Sequence, residues 1–198
     1  MLGGQALQGQ ALTQARQQQA QVLLRQRGWP AESAQLLWNT LEPGYFLRHE
    51  PADIAWHARQ LMLHVGSPQP IVRARPSLAG EGVQVLVYAP DTQDLFARIC
   101  GYFDQANLSI LHARIYTSPH GHALDTFQVL PTQLEMEART LSSLIEARLP
   151  PALAAATPLP EPVRRQPSRR ARSFPIPPHV SLEPDEKAQR WLLHISAT

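Results

Sequence analysis

Between Gly82 and Leu130 the apolar period runs from two residues to that of a helix and back to two, which confines this segment to an α+β unit. Val83, Val85, Val87 and Ala89 alternate with Gln84, Leu86 and Tyr88, and their β-branched character predicts a first strand. Pro90-Asp91 interrupts it. Asp91, followed three residues later by Asp94, places an acceptor and an acid where a helix has free N–H groups and a positive dipole, so a helix is expected from Thr92. Leu95, Phe96, Ile99, Cys100 and Phe103 form its apolar stripe, and Asn107 suits a left-handed terminator. Leu108 to Tyr116 reads as a second strand, Ser118-Pro119-His120-Gly121 as a turn, and His122 to Leu130 as a third strand. Thr132 and Glu135 have capping-box spacing ahead of a second helix with Leu134, Ala138, Leu141, Ile145 and Leu149, expected to end at Pro150-Pro151.

With a right-handed crossover, the order βαββα leads to a ferredoxin-like sandwich with both helices on one face. A fourth strand is owed. The nearest candidate is His179 to Leu182, which completes a βαββαβ unit.

The flanks differ in kind. Gln5 to Arg27 is rich in Gln and Ala and reads as a helix closed by Gly28; Pro30 opens a second helix, Glu42-Pro43-Gly44 ends it, and Pro51 opens a third. These helices carry apolar faces, with Leu36, Leu37, Leu41, Ile54, Trp56, Leu61 and Leu63, that have little of their own to cover them. Residues 150–177 hold repeated prolines with Arg164, Arg165, Arg169, Arg170 and Arg172, and cannot bury a core. This stretch reads as an extended solvated linker rather than a nucleic-acid surface, because only Phe174 supplies an aromatic. Trp191 to Ala197 repeats the character of Val83 to Ala89 as an opening strand, expected to pair with Val180 to Glu183 through a turn at Glu183-Pro184-Asp185-Glu186.

Composition bounds the chemistry. The 198 residues are 43% hydrophobic, enough for one domain with extensions, and no apolar run approaches the length of about 20 that a membrane helix needs. With one cysteine, no disulfide framework forms within the chain; Cys100 lies on the apolar stripe and reads as a small buried hydrophobe. His57 and His64, two turns apart with His49 nearby, lack a paired carboxylate motif and read as packing or surface histidines.

The segments Val85-Leu86-Val87-Tyr88-Ala89-Pro90-Asp91, Leu95 to Cys100, Asn107-Leu108-Ser109-Ile110 and Ala123 to Val129 resemble the first ACT domain of bacterial bifunctional PII uridylyltransferase/uridylyl-removing enzymes. Upstream, Tyr45-Phe46-Leu47-Arg48-His49 and Ile54-Ala55-Trp56-His57 resemble that family's segment between its HD hydrolase domain and the ACT domain. The resemblance divides the chain into a helical segment at 1–66, a connector at 67–81, a ferredoxin-like ACT domain at 82–149 plus 178–183, a linker at 150–177, and the opening strand of a second ACT domain at 189–198.

What the resemblance implies is regulation in the cytoplasm. The chain would be a C-terminal regulatory fragment, inactive by itself, because the HD domain's His-Asp signature and the nucleotidyltransferase's Gly-Ser and paired-Asp pattern are absent from it. No cofactor is expected in this chain; magnesium is expected for the full-length family. ACT domains hold a small amino acid at the turn after the first strand, against a neighbouring copy's second strand. Here that turn contains Asp91, Thr92, Gln93 and Asp94, and the opposing element is Asn107-Leu108. Many ACT domains carry Pro-Gly where this chain has Gln93-Asp94. Asp91 and Asp94 also read as helix caps. The expected partners are glutamine, the PII signalling protein through the full-length enzyme, and a second ACT domain, with no membrane and no nucleic acid. The alternatives are a stand-alone ACT-type amino-acid-binding or oligomerisation module and, in a third class, an RNA-binding ferredoxin-like domain.

Overall fold

The computed structural model describes residues 2–78, 80–132, 136–154, 158–163, 177, 179–185 and 190–196. The capping residue Glu135 and the arginine cluster of the linker lie outside them. The chain divides into two compact units, Met1–Pro162 and Val163–Thr198.

The first unit is α+β, with the ferredoxin-like sandwich at its centre. Its sheet has strands β1 (Ile71–Pro76), β2 (Val83–Pro90), β3 (Leu108–Arg114) and β4 (His122–Pro131) in the order β1-β2-β4-β3, every neighbouring pair antiparallel. The fourth strand is therefore Ile71–Pro76, from the stretch expected to be a connector, and not His179 to Leu182. A short turn, in which Ser77 N–H donates to the Gly82 carbonyl (3.0 Å), folds β1 back onto β2. Closing that hairpin costs less chain entropy than bringing in a strand from beyond residue 178. The chain order is accordingly ββαββα.

Helices α5 (Leu95–Gln105) and α6 (Ala138–Ala154) cover one face of the sheet. Val83, Val85, Val87, Ala123, Phe127 and Val129 bury there against Leu95, Ile99, Phe103, Leu141, Ile145 and Leu149. Pro150 and Pro151 lie inside α6 rather than ending it. Leu149 and Leu153, on either side of them, pack on this core and hold the last turn in place. Glu146 of α6 accepts a hydrogen bond from Ala74 N–H (2.7 Å), which satisfies a donor on the outer edge of β1.

The opposite face is covered by the N-terminal helices: α1 (Leu2–Gln26), a 3-10 turn (Ala31–Ala34), α2 (Gln35–Trp38), α3 (Pro43–Arg48) and α4 (Pro51–Leu61). Most of their apolar residues, expected to be uncovered, pack on one another and on the sheet, while Leu36 and Leu63 stay exposed. Ala20, Leu24, Leu37, Trp38, Phe46, Ile54 and Leu61 form one cluster with Leu86, Tyr88, Tyr116 and Leu124. The parity of β2 explains this, since Leu86 and Tyr88 point away from the valines and give the sheet a second apolar face. Pro43 opens α3 instead of closing the preceding helix, because a proline at the first helical position loses no hydrogen bond. Gly28 ends α1 with φ +75°, as its position predicts. Tyr116 hydroxyl accepts from Glu42 N–H (2.8 Å) and Tyr88 hydroxyl from Gly66 N–H (2.9 Å), fastening the two layers together.

In the second unit, β5 (His179–Asp185) and β6 (Arg190–Ser196) form an antiparallel pair with Leu182 opposite Leu193. The pairing follows the expectation, but Pro184 and Asp185 are paired within β5, and Glu186 of the expected turn lies outside the described residues. No helix among the described residues is long and apolar enough to cross a membrane.

Candidate ligand-binding site

Asp91, Thr92, Gln93 and Asp94 form an exposed turn between β2 and α5. Asp91 N–H donates to the Gly121 carbonyl (2.9 Å), and its Oδ2 accepts from Thr117 Oγ1 (3.1 Å), so the turn is tied to the β3–β4 hairpin. That hairpin closes as its sequence suggests, with Gly121 at φ +73° and Ser118 N–H donating to the His122 carbonyl (2.8 Å).

Helix α5 begins at Leu95, three residues later than expected, and Asp94 is its N-cap with no side-chain capping bond. Neither aspartate caps the helix through its carboxylate: Asp91 is committed to Thr117, and Asp94 adopts φ 64°, which turns its backbone into the helix. Asp94 stands where the resemblance calls for a glycine. Aspartate is one of the few residues that tolerates the left-handed region, so the turn keeps its path without the glycine.

Beneath this turn lies a residue that the sequence reading passed over. Asp125 of β4 is 1% exposed, and its Oδ1 accepts from Tyr116 N–H (3.1 Å). Burial pushes its carboxyl up to about 6; the Tyr116 hydrogen bond opposes that shift and the charge of Asp91 adds to it. An acid in register with Ala123, Phe127 and Val129, on the otherwise apolar face of β4, is the signal that could have found it. Burial, reinforced by the Asp125 charge, also pushes the Cys100 thiol upward, consistent with an unreactive side chain on α5.

Asn107 and Leu108 lie at the far end of α5. Eleven residues at 1.5 Å each separate them from Asp94 by about 16 Å. Asn107, at φ 56°, accepts at its carbonyl from Thr132 N–H (3.0 Å) and Oγ1 (2.9 Å). Leu108 is buried beside a cavity of about 50 Å³, lined also by Tyr102 and Met136, with room for little more than water. Within one chain, then, the turn and Asn107-Leu108 do not meet. A ligand touching both needs a second copy of the unit.

Of the histidines singled out from spacing, only His64 stands apart. His57 is buried and shares a 2.7 Å hydrogen bond with the Tyr45 hydroxyl, and His49 Nδ1 lies 2.9 Å from the Tyr45 carbonyl. Their rings meet edge to face at 5.1 Å. His64 lies beyond the end of α4, so it shares no helical face with His57.

Residues 8–60 match the family described as uridylyltransferase GlnD fifth domain. Curated bifunctional uridylyltransferase/uridylyl-removing enzymes from Burkholderia thailandensis and from Burkholderia mallei strain SAVP1 are each 46% identical to this chain over 197 residues, covering 100% of it. The chain is a relative of the bifunctional uridylyltransferase/uridylyl-removing enzymes. It spans 23% of the length of these relatives, and the family match falls on the helical layer while the whole-chain identity includes the sheet. No solved structure matches the chain.

Proposed function

We propose that the chain is a regulatory portion of a cytoplasmic uridylyltransferase/uridylyl-removing enzyme. In this reading it senses glutamine and controls the uridylylation and deuridylylation of a PII signalling protein, while magnesium-dependent chemistry belongs to other parts of the longer protein. The observation that carries the reading is the 46% identity along the entire chain to enzymes of that description. The ligand turn is Asp91 to Asp94, whose backbone leads into the N-terminus of α5, where free N–H groups can hold a carboxylate. Asn107 and Leu108 of a second ACT copy complete the site from the opposite side.

Calorimetric titration with glutamine tests this on the chain as it stands and on a version extended through a whole second ACT domain. Binding by the extended protein alone is the expected result. Absence of binding to both defeats the glutamine reading.

A second reading, an ACT-type oligomerisation module, is favoured by β3. That edge strand leaves Ile110 and Leu111 37% and 46% exposed, with Ile115 just beyond it at 40%, a surface suited to pairing with another strand. Size measurement with and without glutamine separates the two readings. A defined dimer that ignores glutamine supports the module, and a monomer counts against it.

A further inference from the structure

Tyr116 and Thr117 are neighbours in the connection between β3 and β4, yet their side chains serve opposite layers. The Tyr116 ring lies in the cluster under the helical layer, 5.7 Å from the Tyr45 ring, and its hydroxyl accepts from Glu42 N–H at the start of α3 (2.8 Å). Thr117 reaches the other way and donates to Asp91 of the ligand turn (3.1 Å). Successive residues of an extended chain point to opposite faces, so the backbone itself makes this division.

The main chain between these two side chains is held in place. Tyr116 N–H donates to the buried Asp125 carboxylate (3.1 Å), and the Tyr116 carbonyl accepts from Leu124 N–H (2.7 Å). The returning side of the hairpin repeats the arrangement. The Gly121 carbonyl accepts from Asp91 N–H (2.9 Å), while the His122 ring stacks on Tyr88 at 5.0 Å and its Nε2 lies 3.2 Å from the Ser67 carbonyl. The Tyr88 hydroxyl accepts in turn from Gly66 N–H (2.9 Å). Thr117 and Gly121 therefore hold the ligand turn, and Tyr116 and His122 hold the N-terminal segment at Glu42 and at Gly66-Ser67.

The two ends differ in how firmly they are held. Asp91 and Thr117 are exposed, so their bond is exchanged at little cost for one to a ligand. Tyr116 is 8% exposed within a packed cluster, and an interior of that density passes a displacement on.

We propose that the hairpin from Tyr116 to His122 couples the ligand turn to the N-terminal segment: a ligand that draws Asp91 from Thr117 loosens the bonds at Glu42 and Gly66. The inference rests on the reading of Asp91 to Asp94 as the ligand turn. An amino acid supplies the exchange, because its ammonium group is a stronger partner for the Asp91 carboxylate than a threonine hydroxyl.

Hydrogen exchange of the full chain, read amide by amide by NMR, tests the coupling without a ligand. Asp91→Ala and Thr117→Val each remove the bond between turn and hairpin, and each should speed exchange at Glu42 and Gly66 by about threefold. Ile145, on α6, should keep its rate. Unchanged rates at Glu42 and Gly66 overturn the inference, and so does an equal rise at Ile145, which marks general loosening. Glutamine added to the version extended through a second ACT domain tests the ligand reading separately. Binding that leaves the Glu42 and Gly66 amides unmoved overturns the coupling. Absence of binding, with both variants behaving as expected, defeats glutamine as the ligand and upholds the coupling.

Discussion

The Arg75 guanidinium carbon stands 4.1 Å above the centre of the Trp56 ring, and the same side chain donates to Asp53 at 2.6 Å and to Gln84 Oε1 at 2.8 Å. Arg75 belongs to β1 and Trp56 and Asp53 to α4, so one side chain fastens the helical layer to the edge of the sheet. Both ends of its ion pair are under a fifth exposed, where breaking a pair leaves an uncompensated charge. Arg75→Ala should cost about 3 to 5 kcal/mol in urea unfolding. Arg75→Lys keeps the charge but loses the fork and the flat stacking surface, and should still cost about 1 to 2 kcal/mol.

Gly82 precedes β2 with φ +83°, and a Cβ built there collides with the Val129 carbonyl oxygen. Both the backbone and the neighbouring strand reject a side chain at that point. Gly82→Ala should destabilise by about 3 kcal/mol or more, seen as a fall in thermal midpoint without a change in the helical spectrum of the surviving native state.

Asp125 should make the native state less stable as pH rises. Its carboxyl is raised from 3.8 to about 6, so between those values the folded chain keeps a proton that the unfolded chain has released. Stability is therefore lost through this window and stays lower above it, by about 2 to 3 kcal/mol. Asp125→Asn should raise the thermal midpoint at pH 7.5 by about 5 °C and bring no gain at pH 4.

The buried histidines act with the opposite sign. Burial first, and then neighbouring positive charge, holds His57 well below its usual 6.5; burial likewise holds His49 below it. As pH falls below 6.5 the unfolded chain takes up protons that the native state refuses, so stability declines by up to about 1.4 kcal/mol per pH unit for each histidine. Scanning calorimetry of Asp125→Asn isolates this decline. The His57 ring proton signals should stay in their neutral positions through pH 6.5, where an ordinary histidine is half protonated, and those of His49 should titrate below that point.

The strands and helices of residues 83–149 were legible because their periods are clean. Val83 to Ala89 alternates, and Leu95, Ile99 and Phe103 recur at helical spacing, so each face is written along the chain. The start of α5 was displaced because Asp91 spends its carboxylate on Thr117, 26 residues away, a bond that local capping rules do not see. The fourth strand was misplaced because Ile71–Pro76 is short and rich in arginine and proline. Only its neighbours make it a strand: Glu146 holds its outer edge, and Trp56 takes up the Arg75 side chain. Asp125 was invisible as a site residue for a related reason, since its interest lies in burial, a property of the packed layers. Asn107 and Leu108 were read as facing the turn from a neighbouring copy, and α5 does keep them about 16 Å from Asp94 within one chain.

Glu146 and helix α6 close the β1 side of the sheet, whereas β3 on the other side is exposed among the described residues. A sheet with one available edge can accept a single additional neighbour and then has nothing left to offer. Association through β3 is thereby self-limiting, ending at a pair instead of running on into a fibre.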